Sequence, residues 1–289
     1  MASAATVALG LIATPRAAAQ TPADEGFIQS TLRRTEDGRP DLSGIWQSFT
    51  TANWNILAHS AEPGPHAEIL GAWGAARAGQ SIVEGNELPY QAWAAAQQQE
   101  NFENRTVVKV ANDPSRFDTG DPELQCFRAG VPRANYMPFP FQIFQTPSEI
   151  IIVYEYKGAY RTIHMDSDTS PPSDTWMGWS NGHWEGDTLV VEVTGFNGYT
   201  WFDRAGNFHS DALRVVERWT PMGPYHIEYE ATIEDPKVFT RPWTMSFVLY
   251  KNVEPQAQLI EFNCVPFVEE LMYAPLGLME RQQDAIGTN

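Results

Sequence analysis

A chain of 289 residues with 43% hydrophobic and 19% charged side chains can bury a sizeable core and is too apolar to remain disordered. The formal net charge of −17 excludes the basic stripe that nucleic acid requires, and it disfavours anionic membrane surfaces. Ten Trp, fifteen Phe and ten Tyr form a heavy aromatic load, which either fills a β-rich core or lines a pocket for flat apolar ligands.

In chain order, residues 1–19 read as the remnant of a secretory signal. A short apolar run from Val7 to Ala13 is followed by Ala17, Ala18 and Ala19, which fit a small-residue cleavage site. No stretch is apolar enough for a transmembrane helix, so a periplasmic or secreted protein without membrane insertion is expected. The two cysteines, Cys126 and Cys264, suit one disulfide across a long loop, or two buried thiols. Neither has a Cys or His at zinc-ligand spacing.

Residues 20–40 are an irregular lead-in to a single barrel domain over 41–289. Its first strand opens at Gly44 and Trp46 in DLSGIWQSF. An insertion over about 51–121 follows, with Pro/Gly turns and the Ala/Gln-rich YQAWAAAQQQENFENR as a helix candidate. FDTGDPELQCFRAGVPRANYMPFPF is irregular and broken by prolines. From Gln142 onward short β runs recur. EIIIVYEY and AYRTIHMD flank a Lys157-Gly158 turn, and GHW and TLVVEVTGF flank Glu185-Gly186-Asp187. ALRVVERW, HIEYEATI, WTMSFVLY and QLIEFNCV complete about eight strands with no helices between them. With the strand of Trp46 they predict a mainly β fold, an antiparallel up-and-down barrel carrying a partly helical N-terminal excursion over one end.

Alternation separates inward from outward side chains. Leu189, Val191 and Val193 face in and Glu192 faces out; Ile227, Tyr229, Ala231 and Ile233 face in and Glu228 and Glu230 face out. In ALRVVERW the inward set is Leu213, Val215, Trp219 and, unexpectedly, Glu217. A carboxylate there must find a partner or take up a proton, because burying an unpaired charge is prohibitive. It is either an acid/base group of raised pKa or half of an ion pair with an inward arginine such as Arg161. His209 precedes that strand and Asp203 stands before the RAGN turn, so the aspartate is placed to orient the imidazole at a pocket mouth. His164 and Asp166 share a strand face about 7 Å apart. His-x-Asp spacing recurs at His209 and Asp211, a pattern common by chance, and no metal is expected. Gly-x-Ser-x-Gly, Walker and dinucleotide motifs are missing, which argues against an organic cofactor. Trp176, Trp179 and Trp184 lie close together, and Trp179 and Trp184 face opposite sides of one strand.

Taken together, GRPDLSGIW, RTIHMD, GHWEGDTLVVEVTGFN, WFDRAGNFHSDALRVVERW and TIEDPKVFTRPW resemble a family of exported bacterial proteins, over most of the chain after residue 36. That family's members are mostly uncharacterised, so the resemblance transfers no activity. Gly44-x-Trp46 also resembles the opening of lipocalins, whose barrels include carriers as well as cyclases, isomerases and hydratases; fold alone does not choose between them.

The leading expectation is an exported barrel enzyme performing cofactor-independent proton transfer on a small apolar or aromatic molecule: elimination, hydration, isomerisation or cyclisation. His209 would be base or acid, Asp203 its orienting group, Glu217 the second acid/base group, and Arg161 or His164 the stabiliser of negative charge. Tyr160, Asp166, Trp179, Trp201 and Trp219 would contact the substrate. The rival is a non-catalytic carrier, with an aromatic pocket, few convergent polar groups and Glu217 neutralised by an arginine. A third reading is an interaction module with an exposed aromatic patch.

Overall fold

The structure is a computed structural model describing residues 32–63, 75–105 and 120–265. The signal-like residues 1–19 lie outside the described residues, as does part of the expected insertion. The described elements are β1 (Gly44–Ser48), β2 (Glu62–Pro63), β3 (Ala75–Ala76), α1 (Ala92–Glu103), β4 (Phe141–Gln145), β5 (Glu149–Tyr154) and β6 (Tyr160–Met165). They continue with β7 (Trp179–Glu185), β8 (Thr188–Thr194), β9 (Arg214–Pro221), β10 (His226–Glu234) and β11 (Trp243–Lys251).

Nine strands close a barrel in the order β1-β11-β10-β9-β8-β7-β6-β5-β4, sealed by β1 against β4; β2 and β3 form a separate small pair. Alternation along each strand drives this closure. In β10 the Ile227, Tyr229, Ala231 and Ile233 side chains are all buried, while Glu228 faces solvent. The β5–β6 hairpin turns through Lys157 and Gly158 at φ +65° and +55°, the left-handed pair that a tight hairpin favours.

Two strand expectations are corrected. The barrel is mixed, because β7 runs parallel to β6, with Ile163 opposite Ser180 and Met165 opposite Gly182. The intervening 166–178 segment carries Pro171 and Pro172, which suit it poorly to strand pairing, and the chain re-enters the sheet in its original direction. The residues 258–265, QLIEFNCV, form no strand; Phe141–Gln145 takes that place in the barrel. Since β1 pairs with both β11 and β4, the closed sheet leaves no edge for a further strand. The 252–265 segment instead runs over the surface. The Ile260 N–H donates to Glu155 at 2.8 Å, Phe262 packs on Phe139 and Tyr156, and Cys264 is disulfide-bonded to Cys126, 138 residues away.

The described residues between β1 and β4, here termed the cap, pack against the barrel. It pairs Val83 with Met245 and Tyr90 with Phe239. The expected helix forms as α1, docked through Gln98 and Asn101 onto the carbonyls of Ala205 and Gly206. Gly206 permits this approach, because a Cβ there would stand 2.8 Å from the Phe102 backbone nitrogen.

The lumen is packed with side chains. Phe141 of β4 and Trp219 of β9, on opposite walls, meet edge to face at 6.2 Å between ring centroids. Tyr229 stands 5.0 Å from Trp219 and 4.7 Å from Phe247. The barrel interior is therefore a filled core rather than a calyx.

Candidate functional site

Glu217 sits midway along β9, fully buried, and its carboxylate is saturated. Arg161 of β6 reaches across the lumen and donates two parallel bonds, Nη1 to Oε2 at 2.8 Å and Nη2 to Oε1 at 3.0 Å. Oε1 also accepts from the Tyr229 hydroxyl at 2.8 Å and from Asn135 Nδ2 at 3.0 Å. Asn135 comes from the cap, and its own oxygen accepts from the Tyr154 hydroxyl at 2.8 Å. Burial works to lower the Arg161 pKa, but the adjacent Glu217 carboxylate overcomes it and holds the guanidinium above its ordinary value. Burial pushes the Tyr154 hydroxyl up to about 12, and Tyr229 is likewise raised, by burial and then by Glu217. Of the two readings open for Glu217, the geometry is that of the ion pair.

Asp203 and His209 do not form the expected pair. Asp203 is fully buried and accepts from the backbone N–H groups of Ile56, Ala205 and Asn207 and from Asn207 Nδ2, at 2.6–3.2 Å. These bonds tie the cap to the rim turn. Burial raises its carboxyl to about 6 against the opposing pull of those donors. His209 is buried beside Phe196 and Phe202. Its Nδ1 lies 2.8 Å from the Ser210 carbonyl, which can only accept, so Nδ1 carries the proton and Nε2 accepts from the Thr200 hydroxyl at 2.6 Å. Burial lowers its pKa, which favours that neutral ring. The rim histidine expected to lean over a pocket mouth is thus an interior residue with both nitrogens engaged.

The remaining expected contact residues scatter. Trp219 packs in the lumen, and Trp201 is half-buried in the rim turn, where it bridges to Phe208. His164 and Trp179 stack at 4.4 Å on the outer wall, where Tyr160 is 65% exposed. Asp166 is exposed at the end of β6, in the left-handed region at φ +50°.

A second buried polar cluster lies in the cap, built from residues that sequence reasoning passed over. Arg133 donates to both oxygens of Asp121, to Glu123 at 2.7 Å and to Asn53 at 2.8 Å. Arg204 completes it with two bonds to Glu123 and lies over the Trp54 ring at 4.6 Å. Burial acts to raise Glu123, yet the Arg204 and Arg133 charges bring it down to about 2. The cluster's carboxylates and guanidiniums balance in charge and hydrogen-bond to one another. Its residues stand in turns without periodicity; the only sequence signal was charge inside a proline-broken stretch.

Among the described residues a concavity lies elsewhere, at a seam in the barrel wall. β1 pairs with β11 only from Trp46 to Ser48, opposite Lys251 to Leu249. Beyond that point β1 turns away at Phe49, while the Ser246 N–H of β11 bonds to the carbonyl of Ile82 in the cap at 2.8 Å. The gap is a cleft of about 650 Å³. Phe49, Ile82, Val248 and Tyr250 supply its apolar wall, Thr51, Gln80 and Ser246 its polar edge, and no charged residue among those described lines it. Phe49 is 73% exposed, and its ring lies 5.2 Å from that of Tyr250 at 55°. Among the described residues no three His, Cys, Asp or Glu side chains group as metal ligands. No protein-family model, curated protein or solved structure matches the chain.

Glu217→Gln strands the Arg161 charge in the lumen and is expected to cost about 3–5 kcal/mol in urea denaturation. The paired Glu217→Met/Arg161→Met variant is expected to recover most of that loss; a Glu217→Gln protein as stable as the wild type would contradict the buried ion pair. For Asp203, a carbon-13 carboxyl titration should show an aspartate with a midpoint near 6, lost in Asp203→Asn. Because its folded pKa lies above the unfolded value of about 4, the folded state holds this proton more tightly. The stability that protonation gives is full below about pH 4 and is lost as pH rises to 6.

Proposed function

We propose that the protein is a non-catalytic carrier of small, uncharged apolar or aromatic molecules, bound in the wall seam between β1 and β11. The observation that supports this reading is the cleft itself, about 650 Å³, with the exposed rings of Phe49 and Tyr250 and no charged residue among its described lining. That volume falls in the range of about 300–1,000 Å³ typical of small-molecule sites. The acid/base groups that proton-transfer catalysis would need are spent on internal partners. Glu217 is paired with Arg161, and Asp203 and His209 are bonded to separate neighbours. The barrel resembles a lipocalin in closing on itself, but here the wall, and not the filled lumen, receives the ligand. Export to an oxidising compartment belongs to the same reading. It is supported by the signal-like first residues and the Cys126–Cys264 disulfide, and none of the described helices is long and apolar enough to cross a membrane.

Titration with the neutral dye N-phenyl-1-naphthylamine tests the proposal. Saturable fluorescence enhancement is expected, weakened about tenfold by Phe49→Ala with Tyr250→Ala. The dye should be recovered chemically unchanged. Binding indifferent to both substitutions would remove the seam, and conversion of a bound aromatic compound would restore the enzyme reading.

A further inference from the structure

At the seam, main-chain groups of β11 have no strand to bond. The N–H groups of an antiparallel strand alternate in direction. Lys251 donates to the Tyr225 carbonyl, toward β10, whereas Ser246 donates to Ile82 in the cap and Asn252 to Ile45 of β1. Even-numbered residues of this strand therefore face the seam, and Val248 stands between those two donors. β1 stops pairing at Ser48, opposite Leu249 and one residue short of Val248. The Val248 N–H has no hydrogen-bond partner among the described residues.

The Ser246 carbonyl points to the same side. Its reciprocal donor would be the Ile82 N–H, which bonds instead to the Ile56 carbonyl at 3.0 Å. A donor at Val248 and an acceptor at Ser246 thus flank Phe247, and all three residues line the cleft. Such a pair is half of the wide ring that antiparallel strands close between successive hydrogen-bonded positions. Its complement is a carbonyl and an N–H on either side of one extended residue, which is an amino-acid unit with its two amides. Followed in the direction of β1, the carbonyl lies opposite Val248 and the N–H opposite Ser246. The acyl group is then toward Phe49 and Tyr250, whose exposed rings suit an aromatic group. The residue between them shares a face with Phe247. That face is the packed lumen, where Tyr136 and Tyr229 stand 5.7 and 4.7 Å from the Phe247 ring centroid. Glycine alone brings no side chain there.

We propose that the seam binds an N-aroylglycine amide, one glycine unit carrying an aromatic acyl group, by short strand addition to β11 at Val248 and Ser246. The inference rests on the carrier reading and names the ligand class of the same site. Main-chain bonds supply the polar recognition, and the aromatic acyl group supplies the apolar contact.

Calorimetry on the full chain tests this with N-benzoylglycine methylamide and N-benzoylglycine methyl ester, which differ by one N–H. The amide is expected to bind about tenfold more tightly, because the ester leaves the Ser246 carbonyl unpaired. In protein labelled with nitrogen-15 valine, the Val248 amide should exchange rapidly without ligand. Bound methylamide should shift its resonance downfield and slow its exchange. Val248→Pro removes this donor without breaking a ladder bond. It should weaken methylamide binding about tenfold and leave binding of N-phenyl-1-naphthylamine unchanged, which shows the cleft intact. Equal affinity for amide and ester, or a Val248 resonance unmoved by saturating amide, overturns the ligand class. The resonance decides the matter even if the proline variant does not fold. Dye binding without amide binding also overturns the class and leaves the carrier reading standing. If neither dye nor amide binds saturably, both fall together.

Discussion

The bidentate pair of Arg161 and Glu217 is the constraint on which the rest of the barrel depends. It spans the lumen from β6 to β9 with both side chains almost wholly shielded from water. Two charges taken out of water are costly unless their remaining hydrogen-bonding positions are filled. That requirement explains why Tyr229 and Asn135 both point at Glu217, and why Tyr154 bonds in turn to Asn135. Asn135 belongs to the cap, so neutralising one interior acid ties the cap to the barrel. The aromatic rings of Trp219, Phe141 and Tyr229 occupy the remaining lumen.

The described cleft lies in the wall and not in the packed lumen. The cap is held by its own charge cluster around Arg133 and by Asp203, which gathers backbone donors from both the cap and the rim turn. Because the cap segment near Ile82 takes over pairing with β11 where β1 departs, the strands splay and a cleft opens. The same cap that bonds to Glu217 through Asn135 thus borders the seam.

Much of the barrel was legible in the sequence, because a half-buried strand writes its orientation as a period of two. That period placed Glu217 inside, left an ion pair with Arg161 as one of two open readings and turned Glu192 and Glu228 outward. It failed where apolar content was not matched by a free sheet edge: 258–265 has strand-like composition, yet the closed barrel has no position for it. Strand direction was equally hidden, since nothing in the alternation of β6 and β7 distinguishes parallel from antiparallel pairing. Asp203 and His209 are neighbours in sequence, but the turn between them sends one toward Ile56 and Asn207 and the other toward Thr200. Arg133, Glu123 and Asn135 lie in aperiodic segments, where only three-dimensional contact reveals which charges meet. The seam itself arises from where strands part, and no local pattern records that.

The proposed carrier role requires a structural interior and a ligand-binding wall, and hydrogen–deuterium exchange with and without a saturating neutral aromatic ligand tests that separation most directly. Protection is predicted in peptides covering residues 49–51, 78–82 and 246–250, with no change around Tyr154, Arg161 and Glu217. Ligand-induced protection centred on Glu217 and its lumen partners, with the seam unaffected, would contradict it.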